Sequence, residues 1–485
     1  MLSDRIKRLK TDVMERECYY EFAHNSRHGS WVKDANPWVR DVALDRVRHN
    51  DLSMVQLRAN LLRELVELSA IDIYPDWTLA GEHLCGHVFQ CRLPNFRDQA
   101  AFLSEFGLTA DDADRLKDNL EWFTRRDKRT SVGRPAFDPA PEVNNGSGNC
   151  VYSAGGWIEN HSIRDFRKLV QVGFAGLQEE IEAAQSGIAI DDPEYPQKEN
   201  FWEAALAVCK AGIRLGERYA ALAAEKGLDE MAEACRRVPA RGARTFREAT
   251  QALWFGHIVT CGEDGINANS IGRMDQILYP YYQADMDAGR ITREDAVELM
   301  AELACKLYLD YDVQAITLAG CDADGKDATN ELTYIILEVT EQLGVIRDVS
   351  VRITPDTPQR LYDTCARMLA AGGGIPFLFN DSCFIPALTE RGIDARDAWD
   401  YAPIGCIELT IPGKANPHAV SGWFNVTKCL ELAMHDGVDP ITGTQLGPQT
   451  GKLADFASYE DFYAAYCRQV EYFAQRMIYH INRGE

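Results

Sequence analysis

The sequence predicts an α/β protein, helical for most of its length and turning to strand–helix alternation towards its end. Three observations predict it. Up to about residue 343, apolar residues recur at helical spacing in one long segment after another. From Asp348 onward, short β-branched runs alternate with helical segments, the pattern of parallel strands joined by crossover helices. No internal repeat or low-complexity tract interrupts the 485 residues. They read as one domain, 1–485, with a helical part over about 1–345 and a strand–helix part over about 346–485.

In order, the opening to about Glu67 is helical, with charged and apolar residues mixed through 5–17 and 57–68 and breaks at Gly29, Pro37 and Asn50. Residues 76–93 read as extended. They hold His83, Cys85, His87 and Cys91, which look like metal ligands. On a strand, however, even spacing lines residues along one face without bringing them to a point, and Gly86 stands among them, so a structural strand is preferred. His24 and His28 have the spacing of helical zinc ligands but no H-E-x-x-H neighbour. No metal is expected. Residues 133–156 are rich in Pro, Gly and Asn and form a loop; Gly146 and Gly148 lack the flanks of a P-loop or a dinucleotide fingerprint. A helix led by His161 runs to about Glu182, and the next, 200–226, sets Ala205, Val208, Leu215, Tyr219 and Leu222 on one face. Helices follow at 243–259, Met274–Asp287, 293–309 and 328–343. Asp322-x-Asp324-Gly325 misses the calcium-loop frame because its glycine comes early and no glutamate closes it. Then come a strand at Val349–Ile353, a helix at 358–371, a strand at 376–380 and a short helix around Leu388.

Composition excludes several classes of function. Seventy-four acidic against 51 basic residues give a formal charge of −23, which opposes binding to nucleic acid or anionic membranes. No apolar run approaches membrane-spanning length, and no signal-peptide core follows Met1–Lys7, so the cytoplasm is the expected compartment. The 14 cysteines contain no C-x-x-C pair, which argues against zinc ribbons, iron–sulfur clusters and a secreted disulfide framework.

Chemistry concentrates in Ile404-Gly405-Cys406-Ile407-Glu408-Leu409-Thr410-Ile411-Pro412-Gly413-Lys414. In an extended chain Cys406 and Glu408 share a side. A thiol and a carboxylate aimed at one small volume suit sulfur-centred attack coupled to proton transfer. By itself C-x-E also fits a structural turn with a buried cysteine.

The chain resembles the glycyl radical enzymes, the pyruvate formate-lyase-like family, over nearly all its length. Gly405-Cys406-Ile407-Glu408 with Pro412-Gly413-Lys414 is similar to the family's cysteine loop, and Lys428-x-x-Glu431 with Asp436-Gly437-Val438 to the helix after it. His161-x-x-x-Asp165-Phe166-x-Lys168, Arg237-Val238-Pro239, Thr245-Phe246-Arg247-Glu248-Ala249-x-Gln251, Gly272-Arg273-x-Asp275-Gln276, Tyr279-Pro280-Tyr281-Tyr282, Asp327-Ala328-Thr329-Asn330-Glu331-Leu332, Ser350-Val351-Arg352 and Phe379-Asn380-Asp381 follow in the family's order. The resemblance implies a ten-stranded α/β barrel in two antiparallel five-stranded halves, here the helical region and the first half-barrel, with the cysteine loop threaded through its interior. It also implies a cysteine thiyl, formed by a backbone glycyl radical, that takes hydrogen from a substrate carbon. Cys406 would carry the thiyl, Glu408 would take a hydroxyl proton, and His161 would protonate the leaving group or else cap its helix. No cofactor is bound directly; a radical S-adenosylmethionine activase installs the radical. The partners implied are a small-molecule substrate, that activase and a second copy of the chain in a homodimer.

Departures narrow this. Gly405 stands where the acyl-transferring branch has a second cysteine. Asn416-Pro417-His418 replaces the aspartate region of diol dehydratases. Asn267-Ala268-Asn269-Ser270 replaces a histidine and serine, making Asn267, Asn269 and Ser270 candidates for substrate contact. The expected function is a radical lyase or dehydratase acting on a small polar substrate, with radical decarboxylation as an alternative. An inactive truncated or split relative serving as a scaffold is the other class. Ala419-Val420-Ser421-Gly422-Trp423 resembles the radical-glycine fingerprint but lacks its arginine and reads as the start of a helix. The radical region is thus expected to be absent, left to a second polypeptide or lost by truncation, with the chain inert alone. The closing helical stripe Phe462, Tyr466, Val470, Phe473, Met477 and His480 is expected to need a cover from outside.

Overall fold

The computed structural model describes residues 2–15, 39–84, 88, 109–111, 114–115, 118–119, 122, 151–154, 162–189, 191–264, 269–308, 314–344, 348–405, 407–415 and 422–484. The chain divides into two compact units, one of residues 1–120 and 160–417, the other of 121–159 and 418–485. Among the described residues no helix is long and apolar enough to cross a membrane.

The larger unit is built around the helix Phe246–Asp264, whose Phe246, Ala249, Leu253, Trp254, Phe255, Ile258 and Val259 are all buried. A helix apolar on every side belongs inside a core. Its polar residues are buried with partners. The Gln251 amide bonds the Ala80 amide and carbonyl at 2.8 Å each, and Trp254 Nε1 donates to the Gly81 carbonyl. The stretch expected as a strand around His83 forms no ladder over 76–84 and bends at Asp76 (φ +69°) and Gly81 (φ +115°). Its backbone bonds go to side chains instead, those of the central helix and of Glu302 and Tyr219. His83 is buried edge-on to Trp254, and among the described residues no group of His, Cys, Asp and Glu is placed to hold a metal. Cys85, His87, Cys91, His24 and His28 lie outside the described residues.

Strands are numbered in chain order: β1 Tyr152–Ala154, β2 Gly272–Arg273, β3 Ile316–Ala319, β4 Val349–Ile353, β5 Phe377–Asn380, β6 Ala402–Ile404, β7 Glu408–Thr410 and β8 Gly422–Phe424. β2, β3, β4 and β5 form a parallel sheet in that order. Two of its strands, β2 and β3, precede residue 346. The helices Met274–Asp287 and Arg293–Tyr308 lead from β2 to β3 and Glu331–Leu343 from β3 to β4, two crossovers the sequence did not indicate; Gln359–Ala370 leads from β4 to β5, as the alternation predicts. The helix expected from 328 begins at Glu331 because Asn330 caps it, its side chain accepting from the Thr333 amide.

Register sorts the sheet into two faces. Leu318, Val349 and Val351 are buried on one. The other carries Arg273, Thr317, Ser350 and Phe377 in one row and Ala319, Arg352 and Phe379 in the next. A parallel sheet normally buries apolar residues on both faces, so polar side chains in these rows are the first structural pointer to a site.

In the smaller unit β1 and β8 pair antiparallel. Gly422 and Trp423 thus belong to a strand, and the following helix, Val426–Met434, starts later than expected, capped by Asn425. The stripe on the last helix, Tyr459–Gly484, finds cover within the chain. Phe473 is fully buried with Val151, Tyr152, Cys429, Leu432 and Leu446, and Tyr466, Val470 and Met477 pack around it. Tyr152 and His480 share a 2.8 Å hydrogen bond.

Candidate functional site

β6 and β7 form an antiparallel hairpin with Ala402 opposite Thr410 and Ile404 opposite Glu408. It closes through residues 405–407. Gly405 has φ +50°, which favours glycine at the entry to the turn. Glu408 opens β7, and its carboxylate accepts from the Ile407 amide at 3.1 Å. Cys406 lies outside the described residues, as do His161 and Asn267.

The hairpin is fixed at its base by buried ions. The Arg352 guanidinium, fully buried, bonds both Asp381 oxygens at 2.9 Å. It also donates to the Tyr401 and Trp399 carbonyls at 2.8 Å each and lies over the Tyr401 ring. Tyr401 donates its hydroxyl to Asp381. Arg273 bonds Asp400 at 3.0 Å and the Ala319 and Cys321 carbonyls. Beyond β7 the chain turns through Pro412–Lys414, where the Gly413 amide bonds the Ile163 carbonyl. Gly413 has φ +70°, and a Cβ there would stand 2.6 Å from that of Asp165, so the Pro-Gly-Lys glycine is required twice over.

At the other end, Ser270 accepts a 3.0 Å hydrogen bond from the Gly405 amide, tying the hairpin to the residues just before β2. Ser270 and Asn269 are both buried. The Asn269 amide reaches Cys261 Sγ at 3.8 Å, and Cys261 meets His257 Nε2 at 3.5 Å. Of the two described substrate-contact candidates, one thus positions the hairpin and the other reaches back to the central helix. The helix following residue 161 starts at Phe166 and is capped by Asp165, whose carboxylate accepts from the Lys168 amide at 2.9 Å. The cap reading of His161 is corrected accordingly: Asp165, four residues on, does that work.

One residue of this end was not singled out from sequence. Asp348 stands immediately before β4 and is 3% exposed. Its backbone carbonyl accepts from Ile316. Burial, and then the negative charge of Glu408, push its carboxyl up to about 7, so near neutrality Asp348 keeps its proton for a large share of the time. An aspartate opening a β-branched run reads as a solvated strand start. Only the sheet register and the hairpin reveal that it faces inward.

A family model described as pyruvate formate lyase-like matches residues 2–484. The chain is 31% identical over 350 residues to the (2S)-3-sulfopropanediol dehydratase of Klebsiella oxytoca, covering 66% of this chain and 42% of that protein. It is 33% identical over 345 residues to the isethionate sulfite-lyase of Oleidesulfovibrio alaskensis, covering 64% and 41%. Among solved structures, a glycyl radical enzyme from Archaeoglobus fulgidus superposes with a TM-score of 0.79 at 27% identity, over 99% of this chain and 64% of that one. The chain therefore spans well under half the length of these curated relatives.

Proposed function

The chain belongs to the pyruvate formate lyase-like family, and on that footing we propose that it carries the thiyl chemistry of a glycyl radical lyase or dehydratase acting on a small polar substrate. The observation that carries this reading is the hairpin itself. A carboxylate opens β7 beside a turn that holds a cysteine, and that turn is tied by Ser270 at one end of a polar sheet face.

The radical on a backbone glycine, installed by a radical S-adenosylmethionine activase, supplies the oxidising equivalent that makes the Cys406 sulfur able to take hydrogen from carbon. The rest falls to side chains of this chain. Cys406 takes a hydrogen atom from a substrate carbon that bears a hydroxyl. Glu408 accepts the proton of that hydroxyl, which raises electron density on the radical carbon and weakens the bond to the neighbouring leaving group. His161 protonates the group as it departs, and the product radical then takes the hydrogen atom back from Cys406, which restores the thiyl. Arg352 and Arg273 hold the hairpin against thermal displacement, because a small misplacement of reacting groups costs rate steeply. Ser270 positions the turn, and Asn267 and Asn269 are the candidates for substrate contact. The working enzyme includes a glycine-bearing region and pairs as a homodimer in the cytoplasm.

In the anaerobically activated enzyme Cys406→Ala abolishes product. Cys209→Ala and Cys305→Ala retain it, since both thiols are buried in helices and pushed up to about 11 and about 12 by burial. Product from Cys406→Ala overturns the assignment, and the scaffold reading then takes its place.

A further inference from the structure

The inner face of the sheet carries a cluster of buried polar groups without hydrogen-bond partners among the described residues. They are Asp348 Oδ1, Ser350 Oγ, Thr317 Oγ1 and both polar atoms of the Gln314 amide. All four residues are at most 5% exposed. Folded proteins seldom leave such groups unpaired, and neighbours sharing the deficit mark a place where a ligand completes the bonding. Three of them are neighbours by register: Ser350 lies two residues from Asp348 on one strand face and Thr317 is its cross-strand partner, while Gln314 lies just before β3, outside the ladder.

The hairpin brings Glu408 to the same level. Gly405 is tied to Ser270 just before β2, the Ile271 amide bonds the Ala315 carbonyl, and the Ile316 amide bonds the Asp348 carbonyl. Ile271, Ala315 and Asp348 therefore lie abreast at the starts of adjacent strands, with Ser270 one residue before them, and the pair Ile404–Glu408 is next to the tethered Gly405. The charge of Glu408 is felt at Asp348 for that reason.

We propose that Asp348 is a second carboxyl group of the reaction site, donating a hydrogen bond to an uncharged oxygen of the substrate, a hydroxyl or carbonyl. The inference rests on the radical-lyase reading and narrows its substrate class. Asp348 keeps its proton in place and acts as a positioning residue, while Glu408 remains the group that accepts one. A carboxyl as buried as that of Asp348, with the Glu408 carboxylate near it, is held in its protonated form and so can donate. The other charged groups facing this surface are committed elsewhere. From β2, Arg273 holds Asp400, and from β4, Arg352 holds Asp381. β3 contributes no titratable residue over Ile316–Ala319. The hairpin contributes Glu408 and, outside the described residues, Cys406. Both guanidinium groups already face a carboxylate, although Arg273 Nε has no hydrogen-bond partner among the described residues, so the face favours a neutral polar substrate over a sulfonate or carboxylate.

The test is an infrared titration of the full chain in deuterium oxide. A carboxylic-acid carbonyl band disappears with a midpoint near 7, is missing from Asp348→Asn, and in Glu408→Gln has its midpoint lowered by roughly one pH unit because the neighbouring charge is gone. Glu408→Gln leaves Asp348 intact, so the result stands even if Asp348→Asn folds poorly by circular dichroism. Glycerol, a neutral polyol, moves the band to lower frequency, and the sulfonate isethionate leaves it in place. The proposal is overturned by a chain in which no carboxyl band titrates above about pH 5.5, by a midpoint indifferent to Glu408→Gln, or by a band that glycerol does not move. Failure of the radical reading shows separately, as an activated enzyme without product whose Asp348 band still titrates.

Discussion

The two ends of one sheet face use the same kinds of residue in opposite ways. At the carboxyl end of β3 to β5, Arg352 and Asp381 satisfy each other, the Tyr401 hydroxyl and the backbone of the hairpin base. At the amino end, Asp348, Ser350, Thr317 and Gln314 are as deeply buried yet carry polar atoms with no partner among the described residues. A closed ionic network specifies where the hairpin enters. An open polar cluster contributes nothing to folding by itself and is kept available for something else. Burial therefore does not separate structural from functional polar residues here, but completion of their bonding does.

The comparison breaks most visibly if the closed end proves dispensable. Arg352→Leu leaves Asp381 buried without its counter-ion and frees two hairpin carbonyls. It should cost about 3–5 kcal/mol, read as a lowered urea midpoint. A cost under about 1 kcal/mol would show that the network is ornamental.

At the open end the largest effect is on pH dependence. An unfolded aspartate titrates near ~4, whereas the folded Asp348 carboxyl sits at about 7. The folded state holds this proton more tightly, so its contribution is fully present below the lower value and is lost as pH rises towards about 7. Asp348→Asn removes that slope. It should match wild type near pH 4 and exceed it by roughly 2–4 kcal/mol at pH 8, measured by urea unfolding at both values. Equal slopes would place Asp348 in water.

Smaller effects sharpen the same contrast. Gly413→Ala forces a Cβ into a positive-φ position against Asp165 and should cost about 1–3 kcal/mol. Thr333 and Thr317 allow the finest comparison. Both are fully buried, but the Thr333 hydroxyl donates to Asp275 at 2.6 Å, whereas that of Thr317 has no partner among the described residues. Thr333→Val should lose about 1–3 kcal/mol, and Thr317→Val should lie within about 1 kcal/mol of wild type or above it.

How far these features could be read from sequence depends on how local their causes are. β4 was legible because Val349-Ser350-Val351-Arg352-Ile353 is a β-branched run next to turn signals. The helix Met274–Asp287 was legible to the residue, from its apolar spacing and the break after it. β2 has two residues and β3 four, too short for any periodicity; they exist because neighbouring strands pair with them. The β6–β7 hairpin read as a loop for the same reason, since its ladder is three pairs long. Glu408 was found because a motif surrounds it. Asp348 was missed because its inward orientation depends on strand register and on a hairpin more than fifty residues away in sequence. The cover of the last helix was missed in the same way, its partners Tyr152 and Leu432 being brought to Phe473 only by the fold.

The central claim is that Glu408 acts as the base beside the Cys406 radical, and solvent exchange tests it most directly. In the anaerobically activated Glu408→Gln enzyme, the amide keeps the shape but cannot accept the hydroxyl proton. Substrate recovered from deuterium oxide should carry deuterium at the carbon from which hydrogen is taken, with no product formed. Product at the wild-type rate would contradict the account.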